Sequence, residues 1–120
     1  MRKIVTHLRI SRAIWLRGEG ASHSSLLRRA DAKMCCLGIY LEACGASKDN
    51  LYSVGTPSGM TGLIPADARW LLKEDEAREV SDCCQQLMED NDLQNISEPE
   101  REERITGGFA RQGITVEFTE

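Results

Sequence analysis

Five cysteines, two histidines and a set of arginines around one tryptophan are the residues of this 120-residue chain whose types suit chemistry. Cys35 stands apart among the thiols. It lies off the apolar stripe of a predicted helix, near its N-terminus and two residues from Lys33, conditions that lower a thiol pKa. It is the candidate reactive thiol. A nucleophilic cysteine needs a base and a group to orient it, and His7 or His23 with Asn91 or Asp92 are the partners on offer. One reading is therefore a small cysteine-dependent enzyme. Cys36, Cys44, Cys83 and Cys84 fall on apolar stripes, where free cysteine acts as a small hydrophobe. The C-x₂₋₄-C spacing of zinc sites is absent, and the carboxylates near Asn91 do not follow a calcium-loop pattern. No metal and no cofactor are implied, and no complete catalytic signature is present.

Arg9, Arg12, Arg17, Arg28 and Arg29 cluster in sequence around Trp15. Guanidinium forks suit phosphate, and an indole among them suits base stacking. A second reading follows: a nucleotide-signal sponge using Trp15, Arg17, Arg28, Asn91 and Asp92. The competing account of the same residues buries Trp15 and pairs the arginines with carboxylates elsewhere. Gly18-x-Gly20 and Thr56-Pro57-Ser58-Gly59 lack the lysine and the strand-to-helix context of a phosphate loop.

Charge supplies a third reading. The net charge of −4 divides unevenly: residues 1–66 hold nine Lys/Arg against four Asp/Glu, and residues 67–120 hold six against fifteen. Such asymmetry bears on partners rather than fold. Glu74, Asp75, Glu76, Glu79, Asp82, Glu100, Glu102 and Glu103 form a candidate protein-contact surface for a basic partner. The acidic balance disfavours direct nucleic-acid binding.

The elements that must position these groups follow from periodicity. Ile4, Thr6, Leu8 and Ile10 alternate with Val5, His7 and Arg9 as a half-buried strand. Ser11 is placed to open a turn or short helix carrying Trp15, and residues 25–29 suit a short strand. Cys36, Leu37, Tyr40, Leu41 and Cys44 form a helical stripe, stopped at Gly45. A loop spans 46–62, and Pro65 opens a helix through Leu72. Val80, Cys83, Cys84, Leu87 and Met88 form the most regular stripe, ending at Asn91-Asp92, residues that tolerate the left-handed conformation. Ser97 and Glu100 have capping-box spacing for a helix reaching Ala110. Ile114, Val116 and Phe118 make a closing strand after Gly113.

At this length one domain (residues 1–120) is expected, burying roughly two-thirds of its unfolded surface. The first residues lack the apolar stretch of a signal peptide, and no window suits a membrane helix. Odd, adjacent cysteines fit a reducing cytoplasm better than disulfides. The fold expected is α+β: a small antiparallel sheet including the N- and C-terminal strands, packed against three or four helices.

In order along the chain come Trp15-Leu16-Arg17-Gly18, Leu26-Leu27-Arg28, Lys33-Met34-Cys35-Cys36-Leu37-Gly38, Met88-Glu89-Asp90-Asn91-Asp92 and Gly113-Ile114-Thr115-Val116-Glu117-Phe118. This series resembles a family of small bacteriophage proteins, departing from it at Asp31-Ala32-Lys33 and Gly107-Gly108. The resemblance implies a role in infection within the host cytosol and brings no particular chemistry. With it, the expected function is a non-enzymatic, phage-encoded binding protein. It would block or sequester a host component through the acidic surface, as an anti-CRISPR-like inhibitor of host defence.

Overall fold

Leu8 and Ile10 point the same way from β1 (His7–Ser11) and are almost wholly buried, while the alternating His7 and Arg9 face solvent. The period of two in the sequence is thus the period of the strand. β2 (Thr115–Thr119) lies beside it in register, Leu8 against Val116 and Ile10 against Phe118. The computed structural model describes residues 5–20, 24–60, 64–73 and 79–120. Between the strands come α1 (Cys36–Ala43), a 3₁₀ stretch at Ala66–Leu71, α2 (Asp82–Asp92) and α3 (Glu98–Ala110).

Among the described residues the architecture is α+β: a two-stranded sheet of the N- and C-terminal strands, packed with three α-helices. The strands are parallel, which corrects the antiparallel expectation. Alternation records which face of a strand is buried and carries nothing about its direction. Direction is set by the connection. A turn at Gly113 reverses the chain after α3, so β2 runs back along that helix. A helix returning across a sheet before the next strand is how parallel neighbours are joined.

Helix boundaries follow local chemistry. Ser81 and Ser97 cap α2 and α3, their hydroxyls accepting from the amides of Cys84 and Glu100 at 3.2 Å each. Pro99 occupies the first turn of α3. Residues 25–29 make only an isolated bridge, Leu27 to Tyr52, and the stretch after Ser11 is a turn followed by a bridge from Trp15 to Met34. The helix expected after Pro65 is a 3₁₀ stretch. α2 ends without a left-handed residue: Asn91 and Asp92 are helical and Leu93 is extended. Among the described non-glycine residues the left-handed region is taken instead by Ala32, with φ of 60° in the Asp31-Ala32-Lys33 turn, and by Ser53, with φ of 61°.

The core gathers Leu8, Ile10, Leu37, Leu41, Leu87 and Ile105 from β1 and the three α-helices, with Val116 and Phe118 of β2 packed against it. Tyr40 and Phe109 of this core meet the partly buried Trp70 in tilted and edge-on contacts, with ring centroids 5.5–6.1 Å apart. α1 approaches the backbone at Leu26 so closely that a Cβ at Gly38 would sit 1.9 Å from the Leu26 carbonyl oxygen. No helix among the described residues is long and apolar enough to cross a membrane.

Candidate functional site

Asn91 is buried at the end of α2, and its carboxamide is the centre of a polar junction. Oδ1 accepts from Trp15 Nε1 at 2.8 Å and from the Cys36 amide at 3.1 Å. Nδ2 donates to the Leu16 carbonyl at 3.0 Å and to Asp92 Oδ1 at 2.9 Å. One side chain therefore ties the chain after β1, the start of α1 and the end of α2. Buried polar groups satisfied on every side specify a unique arrangement, because each lost bond would strand a desolvated partner.

Arg101 completes the junction from α3. It is 2% exposed, and Nη1 donates to the Asp90 and Asn91 carbonyls at 2.9 and 3.1 Å, while Nε reaches Glu98 at 3.0 Å. The last carbonyls of a helix have no partners within it, and a cation there also meets the negative end of its dipole. The amides of Gly18 and Gly20 take the Asn91 and Asp92 carbonyls at 2.9 and 3.0 Å. Gly18 has φ of +70°, and a Cβ there would lie 2.9 Å from Arg101 Nη2. A side chain is excluded twice, by backbone conformation and by the guanidinium.

This assembly shows what the nucleotide-site residues do. Trp15 is 1% exposed, its ring 5.2 Å from Phe118 and 4.5 Å from the Arg17 guanidinium. No face of the indole is open to a base. Arg17 bonds Glu98 and the carbonyls of Arg12 and Trp15. Arg28 is gripped by Glu19 at 2.9 Å and Asp31 at 2.8 Å, and these carboxylates hold its pKa above the ordinary value. Trp15, Arg17, Asn91 and Asp92 do come together, but as framework. Arg28 belongs to a separate surface cluster with Glu19 and Asp31. Asp92 is half-buried, and burial raises its pKa despite bonds from Asn91 and Ser24.

Arg101 was not singled out by sequence as a site residue, and Asp90 was weighed only among the carboxylates near Asn91. The signal was present: Arg101 precedes Ile105 and Phe109 at four-residue steps, so it rides the apolar stripe of α3. An arginine at that position must find buried acceptors or break the helix packing.

Cys35 sits at the N-cap of α1, where the sequence placed it, but it is 5% exposed. Burial pushes its thiol up to about 11, against the lowered value expected from its position. Desolvation of the thiolate outweighs the nearby helix amides. His7 lies on β1, its Nε2 3.0 Å from Glu117 Oε1, and His23 is outside the described residues. Cys84 is likewise pushed up by burial, to about 12. Among the described residues no group of three or more His, Cys, Asp or Glu is arranged to hold a metal ion.

The carboxylates divide into two populations. Arg12 grips Glu102 with two bonds of 2.8 and 2.9 Å, Arg17 takes Glu98, and Arg9 and His7 take Glu117. These acids close the fold. Asp82 and Glu89 on α2 and Glu103 on α3 are exposed, with no cation paired to them among the described residues. Glu100 is paired within α3 to Arg104, and Glu79 to Lys73 at 3.0 Å. Glu74, Asp75 and Glu76 fall outside the described residues. Between α2 and α3 runs an open groove of about 720 Å³, lined by Gln86, Asp90, Glu100, Glu103, Arg104 and Arg111 among others.

Compared with known proteins, the chain matches no family model, no curated protein and no solved structure.

Proposed function

We propose that this chain is a non-enzymatic binding protein whose outer α2–α3 surface covers a basic patch on a partner protein. The observation that carries this reading is the division of the acids. Arg9, Arg12 and Arg17 are committed to Glu117, Glu102 and Glu98 across the fold, whereas Asp82, Glu89 and Glu103 face outward with no cation paired to them among the described residues. Charge left uncompensated on a surface steers encounter with a partner of opposite sign and selects against partners of the same sign. The resemblance to bacteriophage proteins makes that partner a host component, and a nucleic-acid-binding complex of host defence has the required basic surface. Occupying such a surface is inhibition by charge mimicry.

The buried thiol and the buried tryptophan weigh against the two alternatives, a cysteine-dependent enzyme and a nucleotide sponge. The test is affinity capture from host extract, followed by titration of the captured protein at roughly 50 and 500 mM salt. Screening on this scale should weaken a charge-driven complex by about tenfold or more. Asp82→Lys with Glu103→Lys should abolish capture while leaving the fold intact. An affinity indifferent to both salt and charge reversal removes the mechanism.

A further inference from the structure

Among the described residues the sheet is two strands wide, and none of them adds a strand at the far edge of β2. The geometry points to that edge as the place where a second copy of this chain adds its own β2, antiparallel, giving a four-stranded sheet about a twofold axis.

The backbone phase makes the edge available. The Thr115 amide donates to the Thr6 carbonyl and the Arg12 amide to the Thr119 carbonyl, so the odd-numbered residues of β2 address β1. The N–H and C=O groups of Val116 and Phe118 therefore point to the opposite side, where no described residue bonds them. Their side chains pack on the core from one side and remain half-buried. A row of open donors and acceptors beside partly covered apolar side chains is a template for another strand. Isolated two-stranded sheets are marginal, and parallel ones ordinarily sit inside wider sheets.

Charge and register select a second copy as the occupant, and β2 rather than β1 as the edge. β1 exposes Arg9, so two β1 edges paired about that residue would bring guanidinium groups face to face. On β2 the charged residue is Glu117, already neighboured by His7 Nε2 at 3.0 Å and Arg9 Nε at 3.6 Å. With Val116 set against Val116 of the second copy, each Thr115 hydroxyl faces a Glu117 carboxylate, a donor opposite an acceptor. No like charges oppose, which is the condition for favourable cross-strand pairs. Val116 exchanges two hydrogen bonds with its counterpart, and each Phe118 amide reaches the Ile114 carbonyl of the other copy. The Ile114 amide is not needed, because it already donates to the Phe109 carbonyl at 3.1 Å. The contact is isologous, so it closes at two copies. The edge is five residues long, so the dimer should be weak, with a dissociation constant on the order of micromolar or above.

Sedimentation velocity of the full chain, from about 1 to 200 µM, reads this directly, a range that brackets weak association. A monomer–dimer equilibrium is expected. Thr115→Lys, which sets an ammonium opposite Glu117, should tighten it, and Thr115→Glu should loosen it, each by about tenfold. Val116→Pro removes an outward N–H and should leave only monomer, with circular dichroism reporting the fold. If Val116→Pro does not fold, the two Thr115 variants decide, since that position is exposed and outside the core. A chain that stays monomeric throughout, or a dimer indifferent to both Thr115 substitutions, overturns the proposal.

Discussion

The junction at the end of α2 and the outer surface of α2 and α3 use the same residue types to opposite ends. In the junction, Asn91, Arg101 and Asp90 are buried, and their polar groups meet partners of this chain. On the outer surface Asp82, Glu89 and Glu103 stand in water with no cation beside them among the described residues. A polar group removed from water must be answered by the protein, at a cost of about 1–3 kcal/mol for each one stranded. A polar group left in water costs nothing to the fold and stays available for a partner. The two regions should therefore separate under mutation, one reporting on stability and the other on binding.

The largest effect is expected at the junction. Asn91→Leu keeps the size of the side chain but strands the Trp15 indole N–H, the Cys36 amide and the Leu16 carbonyl, and should cost about 3 kcal/mol or more. Urea unfolding measures it; a loss under about 1 kcal/mol would mean the junction is not what joins these segments.

The two adjacent glycines of α3 sharpen the contrast one step down. A Cβ at Gly108 would meet Leu87 Cδ2 at 2.6 Å, whereas one at Gly107, on the groove side, meets nothing within 4 Å. Gly108→Ala should destabilise by about 1–3 kcal/mol through overpacking. Gly107→Ala should stabilise by about 1 kcal/mol through helix propensity. Thermal unfolding of the pair checks both signs at once.

Asp92, at the margin between the two regions, should show its position through pH. Burial raises its pKa in the folded state, so the fold holds that proton more tightly than the unfolded chain does. Stability must then fall as pH rises from the ordinary carboxylate range through the raised folded value. Asp92→Asn has no such proton to lose. Its stability relative to the parent should increase across that window, and parallel stability curves would contradict the assignment. Glu98 runs the other way. Burial pushes its pKa up, but Arg17 and Arg101 outweigh burial and hold it below the usual value, so its contribution disappears as pH falls through that lowered value.

The smallest effect on the fold belongs to the outer surface. Asp82→Lys and Glu103→Lys should each change unfolding free energy by no more than about 0.5 kcal/mol. Their effect should appear only in partner capture, as a loss of binding by a folded protein.

Much of the fold was legible because its signals are local. The alternation at Leu8 and Ile10, the capping serines at 81 and 97 and the stripe through Cys84 and Leu87 each state a period or a cap within a few residues. Of the five residues the sequence grouped, Trp15, Arg17, Asn91 and Asp92 do meet, while Arg28 lies apart with Glu19 and Asp31. Their role was not legible, since whether an indole stacks on a ligand or fills a core depends on what encloses it. Cys35 shows the same limit: its place at a helix start was readable, its burial was not.

Amino-acid order alone therefore determined the two terminal strands and the helices after Cys35, Ser81 and Ser97, which of their faces turn inward and how unevenly the charge is spread, but not the outcome at residues 25–29 or after Pro65. Strand direction, the enclosure of Trp15 and Cys35, and the sorting of carboxylates into bonded and open groups arose only when distant segments packed. Periodicity and capping act over three to eight residues, whereas solvent exclusion and ion pairing depend on groups about 75 to 110 positions apart, such as Trp15 with Asn91 and His7 with Glu117.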